Sequence, residues 1–264
     1  MTVRTSRLNE LDLGRYIERF HEERPGVTEE VLGRSNSDGF TPYEWLSQAI
    51  TPGLRGIDLG SGGVPLKLGC GAGAWVGVDR SLAELKLHPS RDDVERVQAE
   101  AQSLPFERAV FDRFRSSMAI TFMSPISEVV SELARVTTID AEGAFLLPAA
   151  WPFDFKDVLY NVRIKSRLRV IRFAPPLNGG IDMLLRSFAR RGFEVVEKRS
   201  RRFEYVLEDE ESCDRLLRSW YLPNLSESLV GHVRGLLFSR IGSSVGVPLM
   251  RVSLVRTGAL RPVI

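Results

Sequence analysis

The residues best placed to do chemistry are a glycine-rich turn and the carboxylates beside it. Asp58-Leu59-Gly60-Ser61-Gly62-Gly63 ends one apolar run and Val76-Gly77-Val78-Asp79 ends another, with Asp79 nineteen residues after Gly60. In an open α/β sheet, ligands bind beyond the carboxyl ends of the strands. Glycine there allows a positive φ or a close approach, and a carboxylate ending the second strand can accept both ribose hydroxyls. The pairing predicts an adenosine site and does not by itself separate one adenosine-bearing ligand from another. A second string, Gly69-Cys70-Gly71-Ala72-Gly73, has the more regular glycine spacing, but it abuts Trp75-Val76-Gly77-Val78-Asp79 with no helix after it. It reads as a return loop.

Such residues need a sheet to position them. Short apolar runs at 54–59, 74–79, 95–98, 113–119, 142–148, 193–198 and 249–256 alternate with helical patterns at 82–87, 124–136 and 181–191. This alternation predicts an α/β fold, a Rossmann-like, mostly parallel seven-stranded sheet with helices on both faces. Residues 8–50 read as a helical N-terminal cap: Leu11, Tyr16, Ile17 and Phe20 fall at helical spacing, Pro25-Gly26 breaks the run, and Thr28-Glu29-Glu30 looks like a new start. Thr41 suits an N-cap, with Pro42 at the first helical position.

Two segments interrupt the alternation, 149–177 and 203–246, and are expected as substrate-side insertions over one end of the sheet. In the first, Val162-Arg163-Ile164-Lys165-Ser166-Arg167-Leu168-Arg169 alternates as an exposed strand would, and a helix over 156–168 fits nearly as well. The second reads as two helices around Trp220-Tyr221-Leu222-Pro223. A chain of 264 residues fits one domain, 1–264, with the cap over 1–50 and the ligand-binding core over 51–148.

The next stretch narrows the class. Ala99-Glu100-Ala101-Gln102-Ser103-Leu104-Pro105-Phe106, then Phe111-Asp112 leading to Ser116-Ser117-Met118-Ala119, closely resembles the class I S-adenosylmethionine-dependent methyltransferases of the small-molecule type. Val129 to Val136 and Gly143-Ala144-Phe145-Leu146 look like that family's following helix and fifth strand, so the resemblance spans roughly 54–148. The preface around Phe20-His21-Glu22-Glu23-Arg24-Pro25-Gly26 and Thr41-Pro42-Tyr43-Glu44-Trp45-Leu46 looks like that of a bacterial subgroup of unknown substrate.

The resemblance implies S-adenosylmethionine as cofactor and assigns roles by position. Asp58, Gly60, Ser61 and Gly62 would face its amino-acid part, Asp79 the ribose and Arg80 the adenine; Glu100, Ala101 and Gln102 match the adenine edge, and Ser117 would lie near the methyl. The chain departs from the family where Gly-x-Gly-x-Gly becomes Gly60-Ser61-Gly62-Gly63-Val64, leaving about a dozen residues for a first helix that Pro65 would open.

Each remaining candidate has a plainer alternative. His21 suits a general base or a packing residue on a helix; Tyr43 and Trp45 suit a lid or a core; Thr121 follows the fourth core strand, where substrate contacts are common in related enzymes. The Arg163, Lys165, Arg167, Arg169 series suits steering of an acidic substrate or a solvated face.

Composition sets the outer limits. With 36 basic against 34 acidic side chains, no strong field draws the chain to nucleic acid or an anionic membrane. No apolar run approaches a membrane span and none follows the first charged residues, so neither export nor a membrane is expected. Cys70 and Cys213 lie far apart without metal-ligand spacing, which suits free thiols in a reducing cytoplasm and no metal. Only five of the 36 basic residues are lysine, which suggests a GC-rich bacterial source.

The expectation is a cytoplasmic methyltransferase acting on a small molecule by in-line displacement, chiefly through proximity. The alternatives are an RNA or protein methyltransferase, a nicotinamide-dependent oxidoreductase, and a cofactor-binding protein without methyl transfer.

Overall fold

The computed structural model describes residues 10–63, 73–87, 94–149, 154–168, 180–222 and 226–258. Its centre is a sheet of β1 (Ser35–Asn36), β2 (Arg55–Leu59), β3 (Ala74–Asp79), β4 (Val94–Gln98), β5 (Phe111–Ser117), β6 (Thr137–Pro148), β7 (Phe193–Val206) and β8 (Ser244–Arg256). They lie in the order β1-β7-β8-β6-β5-β2-β3-β4. The run from β4 through β3, β2 and β5 to β6 is parallel, and β8 lies antiparallel between β6 and β7. Chain order therefore turns outward in both directions from β2 and β5, the place where an open sheet leaves a crevice for ligands.

The central strands are buried on both faces, as parallel strands covered by helices must be: Ile57, Leu59, Val76, Val78 and Phe114 are all at most 1% exposed. Gly56 has no side chain because the Trp75 ring occupies the place, 2.5 Å from where its Cβ would stand. Helices α4 (Leu82–Leu85), α5 (Ile126–Val136) and α7 (Gly180–Ala189) accompany this part of the sheet. Phe188 of α7 packs edge-on against Phe193 at 5.3 Å, and Leu184 joins the same core.

Four features differ from the sequence reading. The sheet has eight strands rather than seven, because Ser35 and Asn36, inside the helical cap, pair with Tyr205 and Glu204 at the β7 edge. Two residues are too few to carry a period of two. Next, β7 and β8 pair well past 198 and before 249, so that 203–206 and 244–246, expected within an insertion, are strand. Phe203 and Tyr205 face inward there while Glu204 faces solvent. Strand β5 begins at Phe111 and stops at Ser117, where Met118 takes a φ of 61°, and β6 begins at Thr137.

Last, the segment left open is helix α6 (Phe155–Leu168). Asp157 and Ile164, seven residues or two turns apart, are both buried, which strand alternation cannot produce. Asp157 accepts hydrogen bonds from Arg202 and from the amide of Gly246, at 2.9 Å, and so pins α6 to β7 and β8.

The cap consists of α1 (Glu10–Glu23), α2 (Val27–Gly33) and α3 (Pro42–Ser47), the last opened by a reciprocal Thr41 and Glu44 capping box. The second insertion holds α8 (Glu210–Arg218) and α9 (Glu227–Phe238). Together with Ile164, Tyr205 and Val31 of α2, Leu216, Val233 and Leu237 build a core of their own beside the extended end of β7 and β8. The short helix expected from Pro65, the string Gly69 to Ala72 with Cys70, and Arg169 lie outside the described residues. Cys213 is a buried free thiol.

Candidate active site

The turn after β2 is built against β3. Gly60 and Ser61 both donate their amides to the Val78 carbonyl, at 2.8 and 3.0 Å, and Gly62 donates to Oδ2 of Asp79 at 2.9 Å. Gly60 and Gly62 have φ values of 65° and 52°, and a Cβ on Gly60 would stand 2.3 Å from that of Ala119. Glycine is thus required by both conformation and crowding. The structure binds these amides to β3, so what the turn contributes is a bare backbone at close range.

Asp79 also receives the Ser81 amide at 2.8 Å on Oδ1. Burial raises its carboxyl above the usual range, and the Ser81 and Gly62 amides partly offset that. Each oxygen retains a second lone pair toward the cavity.

A cavity of about 660 Å³ runs over the ends of β4, β3, β2 and β5. It is lined by Gly60, Gly62, Asp79, Arg80, Glu100, Ala101, Gln102 and Ser117, eight of the ten residues assigned to the cofactor from sequence, and by His21 and Thr121. The apolar wall includes Ala99, Met118, Met123 and Ile126. Ser117 Oγ is buried there without a hydrogen-bond partner.

Three expected residues do not line the cavity. Asp58 is 2% exposed and pairs with Arg115 on β5, whose Nε donates at 2.7 Å and whose guanidinium stacks 4.9 Å over Trp75. Burial raises its carboxyl, an effect that Arg115 opposes. Ser61 lies behind the turn, 1% exposed. Tyr43 is 4% exposed in a core with Trp45, Leu46 and Phe203, so its plainer reading as a packing residue is the one the structure gives.

The cap reaches the site through three residues that the sequence reading did not single out. Glu84 of α4, 2% exposed, accepts from His21 Nδ1 at 2.7 Å and from the Gly26 amide at 2.9 Å, which fixes both the end of α1 and the start of α2. On the other side of the ring, His21 Nε2 lies 2.9 Å from the hydroxyl of Tyr221. With Nδ1 protonated toward Glu84, a neutral ring accepts the Tyr221 hydroxyl at Nε2. The Tyr221 ring is held by Phe20 at 4.6 Å and Phe122 at 4.9 Å, and burial pushes its hydroxyl well above the usual phenol value.

Glu29 of α2 also lines the cavity, its Oε1 2.4 Å from where a Cβ on Gly62 would be. Burial first, and then the charges of Glu84 and Asp79, push it up to about 7. In the sequence these residues look ordinary: Glu29 and Glu84 occupy first helical turns, where acidic residues are common.

Residues 57–145 match the family described as a methyltransferase domain, from within β2 into β6. Over that span the chain is similar to methyltransferase domains. Solved structures share the fold. A protein of Bacillus halodurans provisionally assigned as a methyltransferase superposes with a TM-score of 0.54 at 18% identity, covering 82% of this chain and 99% of that one. The [4+2]-cyclase SpnF gives 0.57 at 12% identity, covering 96% and 98%. A phosphoethanolamine N-methyltransferase of Haemonchus contortus gives 0.53 at 13% identity, covering 95% of this chain and 60% of that one. No curated protein sequence matches the chain. Among the described residues, no three acidic, histidine or cysteine side chains are grouped to hold a metal, and no helix is long and apolar enough to cross a membrane.

Proposed function

We propose that this chain transfers a methyl group from S-adenosylmethionine to a small-molecule acceptor enclosed by the helical cap and the α8–α9 connection. The carrying observation is the single cavity in which Gly60, Gly62, Asp79, Glu100, Ala101 and Ser117 meet residues of the cap and Tyr221. Its volume is in the range of small-molecule pockets. Bound S-adenosylmethionine supplies a methyl carbon activated by a sulfonium.

The chain's own residues do the rest. Asp79 receives the ribose hydroxyls; Arg80, Glu100, Ala101 and Gln102 frame the adenine; Gly60, Gly62 and Ser117 take the amino-acid end. Asp58 and Ser61 act from behind the turn, Asp58 through Arg115. His21, oriented by Glu84 and joined at Nε2 to the Tyr221 hydroxyl, is placed to take a proton from an acceptor through that hydroxyl. The apolar wall keeps water from the reacting atoms. Near-neutral charge supports a small acceptor over nucleic acid, and arginine-rich composition and scattered cysteines support a bacterial cytoplasmic setting.

The phosphoethanolamine enzyme's structure holds S-adenosylhomocysteine and a small amine ester, whereas SpnF is described as a cyclase, so fold alone does not fix the reaction. Two measurements test the reading. Calorimetry is expected to show S-adenosylhomocysteine binding and no NAD binding, with the former weakened at least about tenfold by Asp79→Ala. Labelled cofactor is expected to pass its methyl to a metabolite pool; binding of NAD alone, or of neither ligand, would overturn the proposal.

A further inference from the structure

Besides the exposed Glu18 and Glu22, the cofactor reading leaves one carboxylate in the cavity without a function. The strand order places the adenine end over β4 and β3, where Glu100 to Gln102 stand, and the ribose at Asp79 on β3. Three strand spacings, about 14 Å from β4 to β5, separate that end from Ser117. The amino-acid end of the ligand then lies over β2 and β5, beside Gly60, Gly62 and Ser117. An α-ammonium there needs an acceptor, preferably charged.

Asp58 is the carboxylate closest in sequence to this turn, but it is buried in the sheet and committed to Arg115 at 2.7 Å. Asp79 receives two amides, and Glu84 receives His21 and the Gly26 amide. Glu29 differs. Its Oε1 touches the space above Gly62, its Oε2 is out of solvent with no hydrogen-bond partner, and the residue lines the cavity. A buried carboxylate oxygen without a partner is costly; Asp58 Oδ1 shares that condition, but Asp58 is paired to Arg115 behind the turn, whereas Glu29 lines the cavity where a ligand can supply the partner. Its charged neighbours sharpen the point: Glu84 of α4 and Asp79 of β3 disfavour its ionisation, and His21 of α1 favours it. No metal arrangement accounts for the group among the described residues.

We propose that Glu29 is the acceptor for the α-ammonium of the cofactor's amino-acid end, so that the helical cap, and not only the sheet, binds the cofactor. This rests on the cavity holding S-adenosylmethionine. Glycine at 62 is then needed to let the Glu29 carboxylate stand over the turn, since any Cβ would occupy its place. Occupancy of the site then ties α2 to the turn after β2.

The test compares two ligands on two proteins. S-Adenosylhomocysteine carries the amino-acid end and 5′-methylthioadenosine lacks it. Calorimetry on the wild type and on Glu29→Gln is expected to show S-adenosylhomocysteine weakened about tenfold to a hundredfold by the substitution, with methylthioadenosine changed by less than about twofold. Retained methylthioadenosine binding shows that the variant's site is folded. Equal binding of S-adenosylhomocysteine by both proteins overturns the assignment, as does an equal loss of both ligands, which would make Glu29 a residue of pocket shape. If the wild type takes methylthioadenosine but not S-adenosylhomocysteine, the assignment also fails. If the wild type binds neither, the cofactor reading itself fails first.

Discussion

The two groups of buried acids at β2 and β3 are built on opposite terms. Inside the sheet, Asp58 meets Arg115 at 2.7 Å, and Trp75 covers the guanidinium, so charge is matched where water is excluded. At the strand ends, Asp79, Glu84 and Glu29 gather around His21 and backbone amides, and Glu29 is left with an oxygen unpartnered. The first arrangement holds β2 to β5 by an ion pair on Oδ2 of Asp58, whose Oδ1 has no hydrogen bond. The second is an electrostatic deficit, and a protein carries one where a ligand is to supply the missing charge. Burial alone does not distinguish a binding carboxylate from a structural one; what faces it does, the Arg115 guanidinium for Asp58 and the cavity for Glu29.

Breaking the matched pair should have the largest effect. Arg115→Met leaves Asp58 charged and alone, and is expected to cost about 3–5 kcal/mol in urea unfolding, with much of that recovered in the double replacement Asp58→Leu, Arg115→Met. No recovery would mean that Arg115 acts mainly by packing on Trp75.

At the unmatched group, His21→Gln keeps the ring's volume roughly but removes its basicity. With a hydroxyl acceptor, kcat should fall about a hundredfold with little change in KM, and the rise of kcat with pH should be lost. An unchanged pH profile would reduce His21 to a strut between Glu84 and Tyr221.

Glu29→Gln should move ligand-free stability in the opposite direction from Arg115→Met. Folding raises this carboxyl from 4.5 to about 7, so the folded state holds the proton more tightly and wild-type stability falls as pH climbs from about 4.5 through about 7. Glutamine avoids that loss. The variant is expected to gain on the order of 1–3 kcal/mol at pH 8, and the gain should vanish near pH 5; a gain that persists at pH 5 would not be electrostatic.

The smallest effect is expected away from both groups. Thr41→Ala removes the α3 cap and should cost about 1 kcal/mol in thermal unfolding without altering S-adenosylhomocysteine affinity.

Local pattern carried much of this. The runs around Ile57, Val76 and Phe114 are apolar because parallel strands are covered on both faces, and the Gly60 turn announced itself because crowding and φ leave no other residue. Thr41 and Pro42 marked α3 through local hydrogen bonding alone. Where neighbours about forty or more residues apart made the decision, pattern was silent or misleading. Asp58 reads as a ligand-facing acid until Arg115 is seen beside it, and β1 is invisible until Tyr205 and Glu204 pair with it. The alternation of 162–169 suggested a strand as readily as a helix; the burial of Asp157 against Arg202 and Gly246 selects the helix.

The sequence by itself determined the carboxyl ends of β2, β3 and β4, the bare glycine turn and the acid at Asp79, because each follows from interactions within a few residues or within one βαβ unit. Only the tertiary structure decided which acids are matched. Glu29, Glu84, His21 and Tyr221 come from three cap and sheet helices and a distant connection, and a carboxylate's role depends on what stands a few ångströms from its oxygens.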